Sequence, residues 1–215
     1  MRLRSAPARA ILAPTMGQPA EKQPRPATYA DLEAVPAHLV AEIIHGVLHT
    51  FPRPATPHAT AASVLGMDLG GPFHRGRGGP GGWHIFDEPE LHLGEDVLVP
   101  DLAGWRRERV PQMPRAAFIT LTPDWVCEVL SPSTATHDRK LKMPVYAAAG
   151  VTWLWLINPT ERLLEVFHLN ARKLWEREQV FSHDDLVRAV PFDAIELELS
   201  ALWEGLADEE PAGQR

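Results

Sequence analysis

The sequence predicts an α/β (α+β) fold, with a mixed central sheet flanked by helices. Two observations carry this expectation. β-leaning runs and helical segments are interleaved, but without the regular alternation of a parallel βαβ wheel. One run, Asp124–Leu130, is apolar on both of its alternating faces, as a strand covered from both sides would be, yet it holds a carboxylate, Glu128. No internal repeat is visible. A chain of 215 residues suffices for one domain with a sizeable core plus tails, and 45% apolar and 23% charged residues are ordinary for a globular protein. A net charge of −7 gives no global basic field, which argues against coating nucleic acid by charge alone but leaves room for a local basic groove.

Residues 1–27 are rich in Ala, Pro, Arg and Gln without periodicity and are expected to be disordered, as are residues 208–215, leaving a folded domain over 28–207. Met16 is an equally good start to the chain as Met1. Ala10-Ile11-Leu12-Ala13 is too brief for a signal-peptide core, and no run is long enough to span a membrane. The lone cysteine, Cys127, excludes an intrachain disulfide and a Cys-rich zinc site; it suits a reducing cytoplasm and reads as a small buried side chain. The histidines show no HxH or HExxH spacing, so zinc is not expected.

Thr28 caps a short helix over Ala30–Ala34 that Pro36 stops. Leu39–Ile44 and Val47–Phe51 flank a His45-Gly46 turn and read as a hairpin. His58–Leu69 has helical spacing; His58 at its start is a candidate neighbour of the site, with surface or loop placement the default. Gly70–Gly82 reads as a flexible loop; its Gly76-x-Gly78-x-x-Gly81 lacks the strand before and helix after that a dinucleotide fingerprint needs. Trp83–Phe86, Glu90–Leu93 and Asp96–Trp105 are expected strands, with Pro100 re-aiming Asp101 within the last. Arg106–Arg115 is a basic loop. After the Asp124–Leu130 strand, Thr134–Ala149 reads as a helix ended by Gly150, either kinked at Pro144 or regular only from Met143. Thr152–Ile157, Leu163–His168 and Lys173–Arg177 are further strands, and Ser200–Leu206 a closing helix. Trp153, Trp155 and Trp175 read as packing residues.

A carboxylate in an apolar strand is costly unless something positive meets it. Glu128 has that character, and so does Asp101. If their strands are neighbours, the two repel unless a cation bridges them, and oxygen-only donors favour Mg²⁺ or Mn²⁺. Asp138, Lys142 and Tyr146 recur every four residues and share a helix face. An ammonium beside a two-carboxylate metal site can orient water or stabilise charge on a phosphoryl group, which fits metal-assisted phosphodiester hydrolysis. Two buried ion pairs, Glu128–Lys142 and Asp101 with an arginine, explain the same residues, and spacing does not choose between the readings.

Val99-Pro100-Asp101, Trp125–Ser133, the series Asp138, Lys142, Tyr146, Gly150-Val151, then Trp155 and Asn158-Pro159, together with Ala41–Gly46, resemble the Uma-type family of the PD-(D/E)XK nuclease superfamily, over roughly residues 28–205. The resemblance implies a restriction endonuclease-like core and an endonuclease acting on nucleic acid, DNA first. It implies a divalent metal on Asp101 and Glu128, with Glu42 as a further ligand or water holder and Lys142 as the catalytic lysine. The usual motif lysine, two residues after the glutamate, is here Leu130, so the lysine has moved to the following helix. His45 and Ala41 depart from the family's aspartate and tyrosine. A homodimer follows from the need to cut two strands. The alternative is a nuclease fold kept as a non-catalytic binding module, which the acidic net charge favours.

Overall fold

The computed structural model describes residues 25–205. The disorder expected for residues 1–24 and 208–215 lies outside the described residues. Arg25–Ala27 pack onto the domain: Arg25 pairs with Asp31 at 2.6 Å, and the Ala27 amide donates to the Gly46 carbonyl at 2.7 Å.

Helix α1 (Tyr29–Glu33) starts at Thr28, whose amide and hydroxyl both donate to Asp31 at 2.7 Å. Strands β1 (Leu39–Ile44) and β2 (Val47–Pro52) form the expected hairpin; both turn residues, His45 (φ 52°) and Gly46 (φ 74°), take the left-handed conformation that a two-residue turn demands. Helix α2 (Thr56–Leu69) runs on through a π-helical turn, Gly70–His74, so the glycine-rich stretch is helical where a loop was expected, and only the part beyond His74 is loop. Strands β3 (Trp83–Asp87), β4 (Leu91–Leu93), β5 (Asp96–Leu98) and β6 (Leu102–Arg106) follow. The run expected as one strand over Asp96–Trp105 is thus two strands in different sheets. Pro100 carries no N–H for a ladder, and the chain leaves one sheet at Val99 and joins the other at Leu102.

Strand β7 (Trp125–Val129) is buried along its whole length. The next helix is broken as Pro144 suggested: α3 (Ala135–His137), a π-helical turn over Asp138–Lys142, then α4 (Met143–Ala149), ended by Gly150 at φ 85°. Strands β8 (Trp153–Asn158), β9 (Leu163–Leu169) and β10 (Trp175–Ser182) continue the sheet. A small β11 (Leu186–Val187) and β12 (Leu197–Glu198) pair, which the sequence did not signal, precedes a 3₁₀ turn at Leu199–Leu202.

The six-stranded sheet runs β10-β9-β8-β7-β6-β3 and is mixed, with β7 and β8 parallel; beside it lies a four-stranded sheet, β2-β1-β5-β4. β7 divides the core as its alternation predicts. Trp125, Cys127 and Val129 face a cluster built with α2 and the C-terminal segment, while Val126 and Leu130 face one built with α4 and the four-stranded sheet. Glu128 shares the second side. Among the described residues no helix is long and apolar enough to cross a membrane.

Candidate active site

Asp101 and Glu128 come from neighbouring antiparallel strands. The β6–β7 register sets Leu102 opposite Cys127, which carries Asp101 to the position opposite Glu128, on the same face of the sheet. The Val129 amide donates to Asp101 Oδ2 at 2.6 Å, and His58 Nε2 lies 3.2 Å from Oδ1. Asp101 meets a histidine, not the arginine that the ion-pair alternative required. His58, by default expected at the surface or in a loop, has a side chain only 12% exposed, and its Nδ1 is buried without a hydrogen-bond partner among the described residues.

Glu128 meets Lys142 directly. Lys142 Nζ stands 2.8 Å from Oε1 and 2.9 Å from Oε2, and the Tyr146 hydroxyl donates to Oε1 at 2.6 Å. The i, i+4 face expected for Lys142 and Tyr146 therefore covers Glu128, and Asp138 from the same face is buried too. Lys142 also reaches Glu42 Oε1 at 2.9 Å and donates to the Val99 carbonyl at 3.0 Å. Glu42 is saturated. Its Oε1 accepts from the Val99 amide at 2.9 Å as well, and its Oε2 accepts from His137 Nε2 at 2.9 Å. His137, which the sequence did not flag, is held edge-on by His49 and Phe51, with ring centroids at 4.8 and 4.7 Å. The sheet switch explains Val99. Outside any ladder, its amide and carbonyl must find other partners, and Glu42 and Lys142 supply them.

Burial would raise the Glu42 carboxyl, but the Lys142 ammonium, His137 and the Val99 amide outweigh it and hold the group at about 2. Glu128 goes the other way. Burial pushes it well above the usual carboxylate range, Lys142 opposes this, and Asp138, Asp101 and Glu42 add to the rise. Burial likewise raises Asp138. Lys142 is held well above its ordinary value by Glu128 and Glu42 despite burial, so it is the charged ammonium.

These residues line a cleft of ≈ 320 Å³ between the two sheets and the Ser131–His137 segment. Its fit to a divalent ion rests on donor chemistry. Among the described residues no group of three or more His, Cys, Asp or Glu side chains is preassembled around a metal position. Two neighbouring carboxylates with no thiol lining the cleft are nevertheless a set that Mg²⁺ accepts, since it keeps several waters and takes one or two carboxylates plus phosphate oxygens. Charge agrees. Glu42, Glu88, Asp101, Glu128 and Asp138 line this cleft against Lys142 and Arg53, and Lys142 is the one buried permanent cation among the described residues.

Comparison with known proteins gives the family. No curated protein matches the chain. Among solved structures, a "putative nuclease belonging to DUF820" from Anabaena variabilis is 25% identical with a TM-score of 0.67, covering 83% of this chain and 98% of that one. Residues 26–201 match the Uma2 family, described as "Putative restriction endonuclease", a span that takes in Glu42, His58, Asp101, Glu128, His137 and Lys142. The chain belongs to the Uma2 family.

Proposed function

We propose that this protein is a Mg²⁺- or Mn²⁺-dependent endonuclease that hydrolyses DNA phosphodiester bonds. The observation that carries the reading is the neighbouring pair Asp101 and Glu128 in a cleft lined by five acids, whose one buried ammonium, Lys142, pairs with Glu42 and Glu128. Asp101 and Glu128 would hold the metal, which would supply Lewis-acid activation of water and neutralise charge at the scissile phosphate. Asp101 is oriented for this by the Val129 amide and His58. Glu42, fixed by His137 and the Val99 amide, positions Lys142. Lys142 divides its donors among Glu42, Glu128 and the Val99 carbonyl. Lys142 is the ammonium that would face the developing charge on the phosphoryl oxygens.

The test is nicking of supercoiled plasmid with Mg²⁺ or Mn²⁺. Asp101→Asn and Lys142→Ala are each expected to lose roughly 10²–10³-fold in rate, the scale of removing a preorganised electrostatic group. Equal rates in all three proteins would remove the assignment. A structured RNA run in parallel reads the substrate class, with DNA expected to be cut faster. One cleft cuts one strand, so double-strand cleavage calls for a homodimer, read by sedimentation.

A second reading, a non-catalytic nuclease-fold module, is favoured by one feature: both Glu128 oxygens are already engaged by Lys142 and Tyr146. It gains if Mn²⁺ produces no heat on titration and Asp101→Asn raises the unfolding midpoint.

A further inference from the structure

A protein of net charge −7 with five acids lining its cleft against only Lys142 and Arg53 needs further cations to grip a polyanion. At the far end of β3 and β6, four arginines gather. Arg106 faces Trp83 across the ladder, its guanidinium 4.6 Å from the ring centroid. Arg107 donates to the Trp83 carbonyl and to the His74 carbonyl, both at 2.9 Å, which ties β3 to the end of the π-helical turn. Arg75 and Arg77 leave that turn exposed. Among the described residues none of these four forms an ion pair with a carboxylate. Nearby Arg109 is spent on Asp124, and Glu108 is exposed in the same turn.

The loop that presents Arg75 and Arg77 is built, not loose. The Arg77 amide donates to the Gly71 carbonyl at 2.9 Å, the Gly81 amide to the Pro72 carbonyl at 2.8 Å, and the Arg107 amide to the Gly82 carbonyl at 2.8 Å. Gly79 packs so tightly that a Cβ there would lie 2.5 Å from Pro72 Cβ. Between this patch and the cleft runs a second groove of ≈ 370 Å³, bordered by His74 and Arg75 at one end and by Asp87 and Leu102 at the other. Leu102 follows Asp101 directly, so cleft and groove adjoin. Five residues of strand separate Asp101 from Arg106, ~17 Å at the rise of an antiparallel strand, which is the span of about five base pairs at 3.4 Å each.

We infer that Arg75, Arg77, Arg106 and Arg107 form a phosphate-backbone anchor that holds a nucleic-acid duplex along the β3–β6 groove, about five base pairs from the scissile bond. The inference deepens the proposed nuclease reading and rests on it. Because these contacts are to phosphates, they set affinity and register but not sequence.

The experiment is equilibrium binding of a labelled 30-base-pair duplex to the full chain across a series of salt concentrations, with Ca²⁺ in place of Mg²⁺, comparing wild type, Arg75→Ala/Arg77→Ala and Arg75→Glu/Arg77→Glu. Both residues are exposed, so the fold is unaffected. The double alanine variant is expected to lower the slope of log K against log salt by about 2 and to weaken binding roughly tenfold or more, uniformly across duplex sequences. The double glutamate variant weakens it further. In plasmid nicking, KM rises while kcat is kept. If wild type binds and nicks but both variants keep its affinity and slope, the anchor is overturned while the nuclease reading stands. If wild type binds no duplex, both fall. If the variants lose only binding to anionic lipid vesicles, the patch serves a membrane and the anchor is again overturned.

Discussion

Glu42 and Glu128 touch the same ammonium, yet their environments drive them apart. Glu42 is met by Lys142, an imidazole and an amide; Glu128, equally buried, lies among other acids. This sets opposite contributions to acid stability. Glu42 sits at about 2 against 4.5 when unperturbed, so its stabilisation is complete above about pH 4.5 and drains away as pH falls toward 2. By linkage this amounts to about 3 kcal/mol. Glu128, raised by burial, costs stability above about pH 4.5 and regains it on protonation. Glu42→Gln isolates the first effect. Denaturant unfolding between pH 6 and pH 2 is expected to show wild type losing about 3 kcal/mol more than the variant; parallel curves would mean that Glu42 is not held ionised by Lys142. Lys142→Ala, which leaves two buried acids without their cation, is expected to cost about 3–5 kcal/mol in the same assay at neutral pH. At this scale Asp101, Glu128, Glu42 and Lys142 were legible, because charges in apolar runs and an i, i+4 spacing leave marks in a sequence. His137 was not, and His58 only through its place at a helix start, since an isolated histidine carries no periodic signal. Nor were the Val99 amide and carbonyl, since backbone groups have no sequence identity.

Two breaks in regular structure build the site, and both are announced by proline. Pro100 marks the switch between sheets, which frees Val99 to serve Glu42 and Lys142. Read within one strand, it pointed to a re-aimed Asp101; the change of sheet depends on tertiary pairing that a single strand does not encode. Pro144 marks where the π-helical turn ends and α4 begins. That wider turn brings Asp138, Arg139 and Lys142 down onto the sheet, where Arg139 pairs with Glu165 on β9 and Arg177 joins at 3.2 Å. Through the β7–β8 and β8–β9 registers Glu165 lies in one cross-strand row with Leu156 and Glu128. Helix α4 then has to stop, and Gly150 stops it with a left-handed residue and hydrogen bonds back to Tyr146 and Ala147. A Cβ at Gly150 would meet nothing within 4 Å, so Gly150→Ala isolates the backbone cost. The expected loss is about 1 kcal/mol, seen as a thermal midpoint lower by ~2–4 °C with nicking activity kept. A much larger loss, or loss of activity, would show that the helix end itself sets Lys142.

At the scale of the whole molecule, charge is the organising problem. The mixed sheet covered on both faces was legible from β7 alone, because a strand apolar on both sides admits no other environment. The separate four-stranded sheet was not, since its short strands β4 and β5 have no pattern apart from their partners. That second sheet closes the cleft and brings Glu42 in beside Glu128, so the fold concentrates acids at the point where the proposed reaction places a phosphate. On the proposed function, a divalent ion bound only by the folded state would relieve this crowding and stabilise the entire domain by mass action, by about 2.7 kcal/mol at a hundredfold excess over Kd. For a domain of this size that corresponds to a midpoint rise of ~5–10 °C. Thermal unfolding with saturating Mn²⁺ is expected to show this rise in wild type and in Arg75→Ala/Arg77→Ala, and to show none in Asp101→Asn, whose metal-free midpoint equals or exceeds that of wild type because one of the mutually repelling acids is gone. If the rise persists without the Asp101 carboxylate, the ion binds elsewhere and the neighbouring pair of Asp101 and Glu128 is not its site. If wild type shows no rise while the Asp101→Asn midpoint climbs, the acids serve no metal and the binding-module reading takes the place of the nuclease.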